Sequence, residues 1–166
     1  MVLERVRNGL LVVAAVAVVG MLLVQLGVVA APWSEERTEV RILDDDGEPK
    51  AVVDAEVADT PGERYTGLSD HDSLESGEAM LFVHGGEDER TYVMRNMDFG
   101  IDIIFIGADR EITTIHHAPE PGPDDDGNER EYSGEAQWVL EVPLGYANET
   151  DVEPGDEVEI DLEDDE

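Results

Sequence analysis

The sequence predicts a single, mainly β domain: a small β-sandwich or partly closed barrel of about eight short strands with one or two short helices, preceded by one transmembrane helix. Three observations carry that expectation. Apolar residues alternate with polar ones at period two through most of the chain, turn-forming residues punctuate the alternation, and only one long segment is apolar all round.

That segment comes first. Residues 10–31 carry no charge and one strongly polar side chain, Gln25. At about 1.5 Å of rise per residue they make roughly 33 Å of helix, enough to cross a hydrocarbon core. Arg5 and Arg7 precede the run, whereas Glu35, Glu36 and an acidic body follow it, so the positive-inside bias puts the N-terminus in the cytoplasm and the body outside. A cleaved secretory signal is the competing reading, since Val29-Ala30-Ala31 before Pro32 resembles a cleavage site. The run exceeds the usual signal core of about 7 to 15 residues, which favours a retained anchor. The expected partition is a cytoplasmic 1–9, a membrane-spanning 10–31, a linker with the first strand at 32–49, a β domain at 50–162 and an acidic tail at 163–166. The chain is then single-pass in the cell membrane, or secreted if the leader is cleaved.

The strands follow in order. Alternation runs through Val40 and Ile42, then Val53, Ala55 and Val57. Thr60-Pro61-Gly62-Glu63 has an N-cap threonine, proline at the first helical position and glutamate at the third, a capping box that predicts a helix over 61–68. Residues 80–83 and 101–106 are more continuously apolar and belong centrally in the sheet. Alternation resumes at Tyr92 and Met94, at Trp138, Leu140 and Val142, and at Val158, Ile160 and Leu162, and Ile112-Thr113-Thr114-Ile115 reads as a further strand that ends in His116 and His117. Turns are signalled at Asp46-Gly47, Gly85-Gly86, residues 107–109 and Pro154-Gly155-Asp156. Residues 118–131 read as a long exposed loop and residues 144–150 as a second helical turn.

Charge narrows the function classes. The 166 residues hold 42 Asp and Glu against 10 Lys and Arg. Residues 1–32 contribute one acid and two bases, so the remaining 134 hold 41 acids and 8 bases, a net of −33. Nucleic acid and anionic membrane surfaces repel such a body. The absence of cysteine excludes disulfide frameworks, thiol chemistry and thiolate metal sites. Low apolar content with this charge is the signature of disorder in ordinary buffer, but in molar salt the Debye length shrinks to about 3 Å and the repulsion fades. The body therefore reads as adapted to high salt, with solvent cations as its counterions.

The ordered set Glu56-Val57-Ala58-Asp59-Thr60-Pro61, Gly67-Leu68, Ala79-Met80-Leu81-Phe82-Val83, Met94-Arg95-Asn96 and Asp102-Ile103-Ile104-Phe105-Ile106 resembles the family of domains of unknown function numbered 192, DUF192. Tyr132-Ser133, Val139-Leu140-Glu141 and Pro154-Gly155-Asp156 continue the likeness, and the acidity makes this an extremely halophilic, haloarchaeal-type member. Tyr92 stands where the family commonly has an aromatic, often tryptophan, Ser69 where it commonly has methionine, and Ile101 where it often has leucine. The resemblance implies a small, mainly β domain, often exported, with no established activity.

Candidate chemistry centres on Met94, Arg95, Asn96 and Asp98, followed by Asp102. Asp102 shares a strand face with Ile104 and Ile106 and so points inward, where a carboxylate needs a partner: Asn96, a backbone amide or Arg95. Asn96 and Asp102 either fix a tight connection or line a ligand pocket with Met80 and Tyr92 as apolar walls. His116 or His117, which face opposite ways on a strand, could join His84, Asp98 or Asp102 as a base or ligand. The run Asp124-Asp125-Asp126-Gly127-Asn128 is faintly like a calcium loop but lacks its helical flanks and final glutamate, and a solvated loop is the simpler reading. No nucleophile elbow, P-loop, Rossmann or HExxH pattern is present, and no cofactor or resident metal is implied. The expected function is a membrane-anchored, extracytoplasmic binding or envelope-accessory module for a small polar ligand or an envelope protein. An enzyme using Asp102 with a histidine, or a purely structural domain, are the alternatives.

Overall fold

In the computed structural model, residues 36–162 are described. The expected membrane span at 10–31 and the acidic tail at 163–166 lie outside them. Among the described residues no helix is long and apolar enough to cross a membrane.

Among the described residues seven strands form: β1 (Arg37–Leu43), β2 (Pro49–Ala58), β3 (Glu78–Val93), β4 (Ile101–Ile106), β5 (Ile112–Ala118), β6 (Glu131–Pro143) and β7 (Glu157–Ile160). All belong to one sheet in the order β5-β4-β6-β3-β2-β1-β7. The sheet curls until its two edge strands meet at one end. There Glu111 bridges Glu157, and the Val158 amide donates to the Arg110 carbonyl over 2.7 Å. The result is a half-barrel, so the partly closed barrel forms and the two-sheet sandwich does not.

Strand alternation explains the curl. Val40, Ile42, Val53, Ala55, Leu81, Ile104, Leu140 and Val158 all project to the inner face and pack into one cluster. Fully burying each larger side chain contributes about 1.5 to 3 kcal/mol. The alternate residues Met80, Phe82, Ile103, Phe105 and Val139 form a second cluster on the outer face. That face would be wet without a cover.

The cover comes from the one parallel pair among the described residues. β2 and β3 run parallel, and a parallel pair needs a crossover in place of a hairpin. Here it is the helix α1 (Pro61–Thr66) and a 3-10 turn at Gly67–Asp70. The capping box forms: the Thr60 side chain accepts from the Glu63 amide, and the Glu63 carboxylate accepts from the Thr60 amide over 3.0 Å. The expected helix to residue 68 stops earlier, at Gly67. Its φ of +48° is a glycine conformation, and an added Cβ would lie 3.2 Å from the Phe82 ring.

Two expected strands merge. Residues 80–83 and 92–94 were separate in the alternation, but β3 runs on for 16 residues. Its register against β6 shifts between Val83 and Asp88, so Gly85-Gly86 lies in a bulge, not a turn. The second helical turn is α2 (Tyr146–Glu149), and residues 119–130 join β5 to β6 without a strand or helix. β1 is fully integrated, pairing with both β2 and β7.

Candidate functional site

A cleft of about 400 Å³ opens on the outer face, between the α1 crossover and the outer half of β3. β3 supplies Phe82, His84, Arg90 and Tyr92, α1 supplies Arg64 and Tyr65, and the turn after β3 supplies Arg95. Glu141 of β6 lies among the lining groups. Its register partners are Met80 on β3 and Ile103 on β4, both buried, so its side chain leaves the sheet on the same face, only 4% exposed.

Burial sets the electrostatics here. It pushes the Glu141 carboxyl from the ordinary 4.5 up to about 8, because a charged form deprived of water is penalised. Among the described residues no hydrogen bond or ion pair holds that carboxyl. Burial also pushes His84 down to about 4, helped by the charges of Arg90 and Arg64. His84 Nε2 lies 2.9 Å from the Tyr92 hydroxyl. Burial raises Tyr92 far above its usual range, with Glu141 adding to the shift, so its phenol stays protonated. Near neutral pH the floor therefore offers a carboxylic acid, a phenol and a neutral imidazole.

Backbone carbonyls hold the arginines in place. Arg64 donates to the Val83 carbonyl over 2.9 Å and also to that of Asp59. Arg90 donates to the Gly86 carbonyl over 2.6 Å. Arg95 donates to the Tyr65 carbonyl, and its guanidinium lies 4.0 Å over the Tyr65 ring, a cation–π contact. The turn that carries Arg95 is pinned where Ser69 Oγ donates to the Arg95 carbonyl over 2.8 Å.

The residues singled out in the sequence separate into several places. Tyr92 and Arg95 line the cleft. Met80 is buried beneath it, 2% exposed. Met94, Asn96 and Asp98 line a different, open depression beside the acidic loop. Asn96 adopts φ of +54°, which asparagine tolerates better than most residues, so it shapes the turn itself. Asp102 is wholly enclosed on the inner face, with Oδ1 2.7 Å from His117 Nδ1 and Oδ2 accepting from the Ala147 amide over 2.9 Å. Its partners are thus His117 and α2, not Asn96 or Arg95. His116 points outward, half-buried, with Nε2 2.8 Å from the Ser133 carbonyl and its ring edge-on to Phe105. In the acidic loop, Asp126 accepts from the Asn128 amide and Asp125 pairs with Arg130. No group of three or more metal-ligating side chains converges among the described residues.

Sequence reasoning does not bring Arg64, Arg90 or Glu141 to the site. For Glu141 a signal exists: it is the only charge within the run Trp138-Val139-Leu140-Glu141-Val142. For the arginines none does, because they meet only through the crossover and the bulge.

Comparison with known proteins fits this fold. The DUF192 family model, described as Uncharacterized ACR, matches residues 41–160. A solved structure from Sinorhizobium meliloti 1021, provisionally described as a transcription regulator, is 26% identical, with a TM-score of 0.69, covering 78% of this chain and 98% of that one. A protein of unknown function from Novosphingobium aromaticivorans DSM 12444 is 31% identical, with a TM-score of 0.65, covering 79% of this chain and 91% of that one. No curated protein matches the chain.

Proposed function

The chain belongs to the DUF192 family, and on that premise we propose that its β domain is a binding module that takes a small polar ligand in the cleft over Glu141. Glu141 itself carries the reading. A carboxyl that is 4% exposed and lacks a hydrogen-bond partner among the described residues costs stability, and such groups cluster where a ligand or substrate completes them. The cleft volume of about 400 Å³ suits a small molecule.

The module is exported, held to the membrane by residues 10–31 and adapted to high salt. The charge-free run, the arginines before it and the net charge of −32 support this. The same charge argues against carrying over the description of the Sinorhizobium protein, since nucleic-acid phosphates are repelled.

A second reading, an enzyme using Asp102 with a histidine, has one observation in its favour, the 2.7 Å contact to His117. Neither residue lines the cleft, and the other Asp102 oxygen holds the Ala147 amide. The pair is better explained as a tie between β4, β5 and α2.

A thermal-shift screen of the full chain in molar KCl tests the binding reading. Compounds that raise the melting temperature should lose their effect in Arg95→Gln and keep it in His117→Ala. Hits lost in His117→Ala but kept in Arg95→Gln would move the site to the Asp102 pair. No hits, with envelope proteins as the only binders, would replace the small ligand by a protein partner.

A further inference from the structure

We infer that the ligand of this cleft is a small organic carboxylate, gripped by Arg64, Arg90 and Arg95 and met from below by the Glu141 carboxyl. The inference rests on the binding reading above and adds the chemical class. Its basis is how the few cations of the body are used. Arg37 pairs with Asp54, Arg41 with Glu39 and Glu159, Lys50 with Asp156, and Arg130 with Asp125. Arg110 lies over the Trp138 ring. The other three body cations have no carboxylate partner among the described residues, although the chain holds 42 acids. All three line the same cleft.

Each guanidinium has five N–H donors, and the carbonyls described above leave several free. Arginine presents them as a planar fork that matches a carboxylate. The opposite charge in the lining is small, with Glu89 the other acid beside Glu141. The remaining walls include Phe82, Leu68 and Met97, so the space suits an apolar body behind the charged head better than a bare inorganic ion.

Glu141 makes the binding depend on pH. Tyr92 interacts electrostatically with it, and the other titratable and charged groups lining the same cleft are His84, Arg90 and Glu89 from β3, Arg64 and Tyr65 from α1 and Arg95 from the turn, while its strand neighbours Met80 and Ile103 are apolar. Glu56 of β2 lies across from Met80. With its carboxyl pushed up to about 8 by burial, Glu141 is neutral below that pH and can donate to an anion. Above it, a second negative charge sits under the ligand. His84, held down at about 4, and Tyr92, raised, keep their states across this window.

Calorimetric titration of the full chain in molar KCl tests this with acetate and benzoate against acetamide and benzamide, and with inorganic phosphate as a separate arm. The carboxylates should bind about tenfold or more tightly than the amides at pH 6.5 and weaken about tenfold by pH 9.5. Glu141→Gln should bind without that pH dependence. Arg95→Gln, which removes a guanidinium from the cleft rim, should lose about tenfold in affinity with an unchanged circular-dichroism spectrum. Amides binding as well as carboxylates, or neither binding while other screen hits remain sensitive to Arg95→Gln, would overturn the anionic class and leave the binding reading standing. Phosphate binding more tightly than any carboxylate would replace the organic ligand with an inorganic one.

Discussion

Glu141 and His84 give the fold opposing pH dependences. In the fold Glu141 keeps its proton up to about pH 8, whereas the unfolded chain releases it near 4.5. The native state binds more protons across that interval, so stability falls as pH rises through it. His84 is depressed from 6.5 to about 4, so the unfolded chain binds the extra proton there and stability rises with pH between those values. The two slopes oppose each other below pH 6.5 and leave Glu141 alone above it. At about 1.4 kcal/mol per pH unit for one proton, the wild type should lose roughly 1 to 2 kcal/mol between pH 6.5 and 8.5. Denaturant unfolding in molar KCl should show that loss in the wild type and a nearly flat profile in Glu141→Gln; parallel profiles would contradict the assignment. Single residues were legible where one strand's pattern decided them. Asp102 does point inward with Ile104 and Ile106, as the alternation requires. Its partners were not legible, because Ala147 is 45 residues away and arrives only with α2.

Elements were read well where local chemistry dominates. The capping box starts α1, and the alternation of β1, β2 and β7 matches their buried faces, whereas β6 is buried on both faces from Trp138 to Val142. The reading failed at β3, where a glycine pair suggests a turn but the continuous partner β6 holds the strand together through a bulge. Pairing is a tertiary effect that no local window contains. It is also what brings the cleft together, since the bulge separates Phe82 from Tyr92 along the chain while their rings pack edge-on at 4.9 Å. Phe105 extends that row, with its ring centroid 5.9 Å from that of Tyr92. Gly134 on β6 leaves room for it: an added Cβ would lie 2.7 Å from the Phe105 ring. Gly134→Ala should therefore cost about 1 to 3 kcal/mol through overpacking. Thermal unfolding in molar KCl checks it, and an unchanged melting temperature would mean that the ring moves freely.

At the scale of the whole molecule, a half-barrel with an apolar cluster on each face must hold together although residues 33–166 carry a net charge of −33. Too few cations exist to pair the acids, so the proposed adaptation to high salt assigns the remedy to screening. The circular-dichroism signal of the β domain should fall on dialysis into low salt and return in molar KCl, and a spectrum unchanged across that range would remove the argument for salt adaptation. The mainly β character was legible from the period-two alternation, but the choice between a sandwich and a curled single sheet was not, because closure depends on pairing between distant strands. The cleft was not, because the three arginines and the buried Glu141 that line it meet only through a crossover and a bulge. Carbon-13 NMR titration of the glutamate carboxyls, with the Glu141 resonance assigned by its loss in Glu141→Gln, tests that arrangement most directly. A midpoint near pH 8 in molar KCl is expected. A midpoint in the ordinary range near 4.5 would show a solvated carboxylate and contradict the binding site built on it.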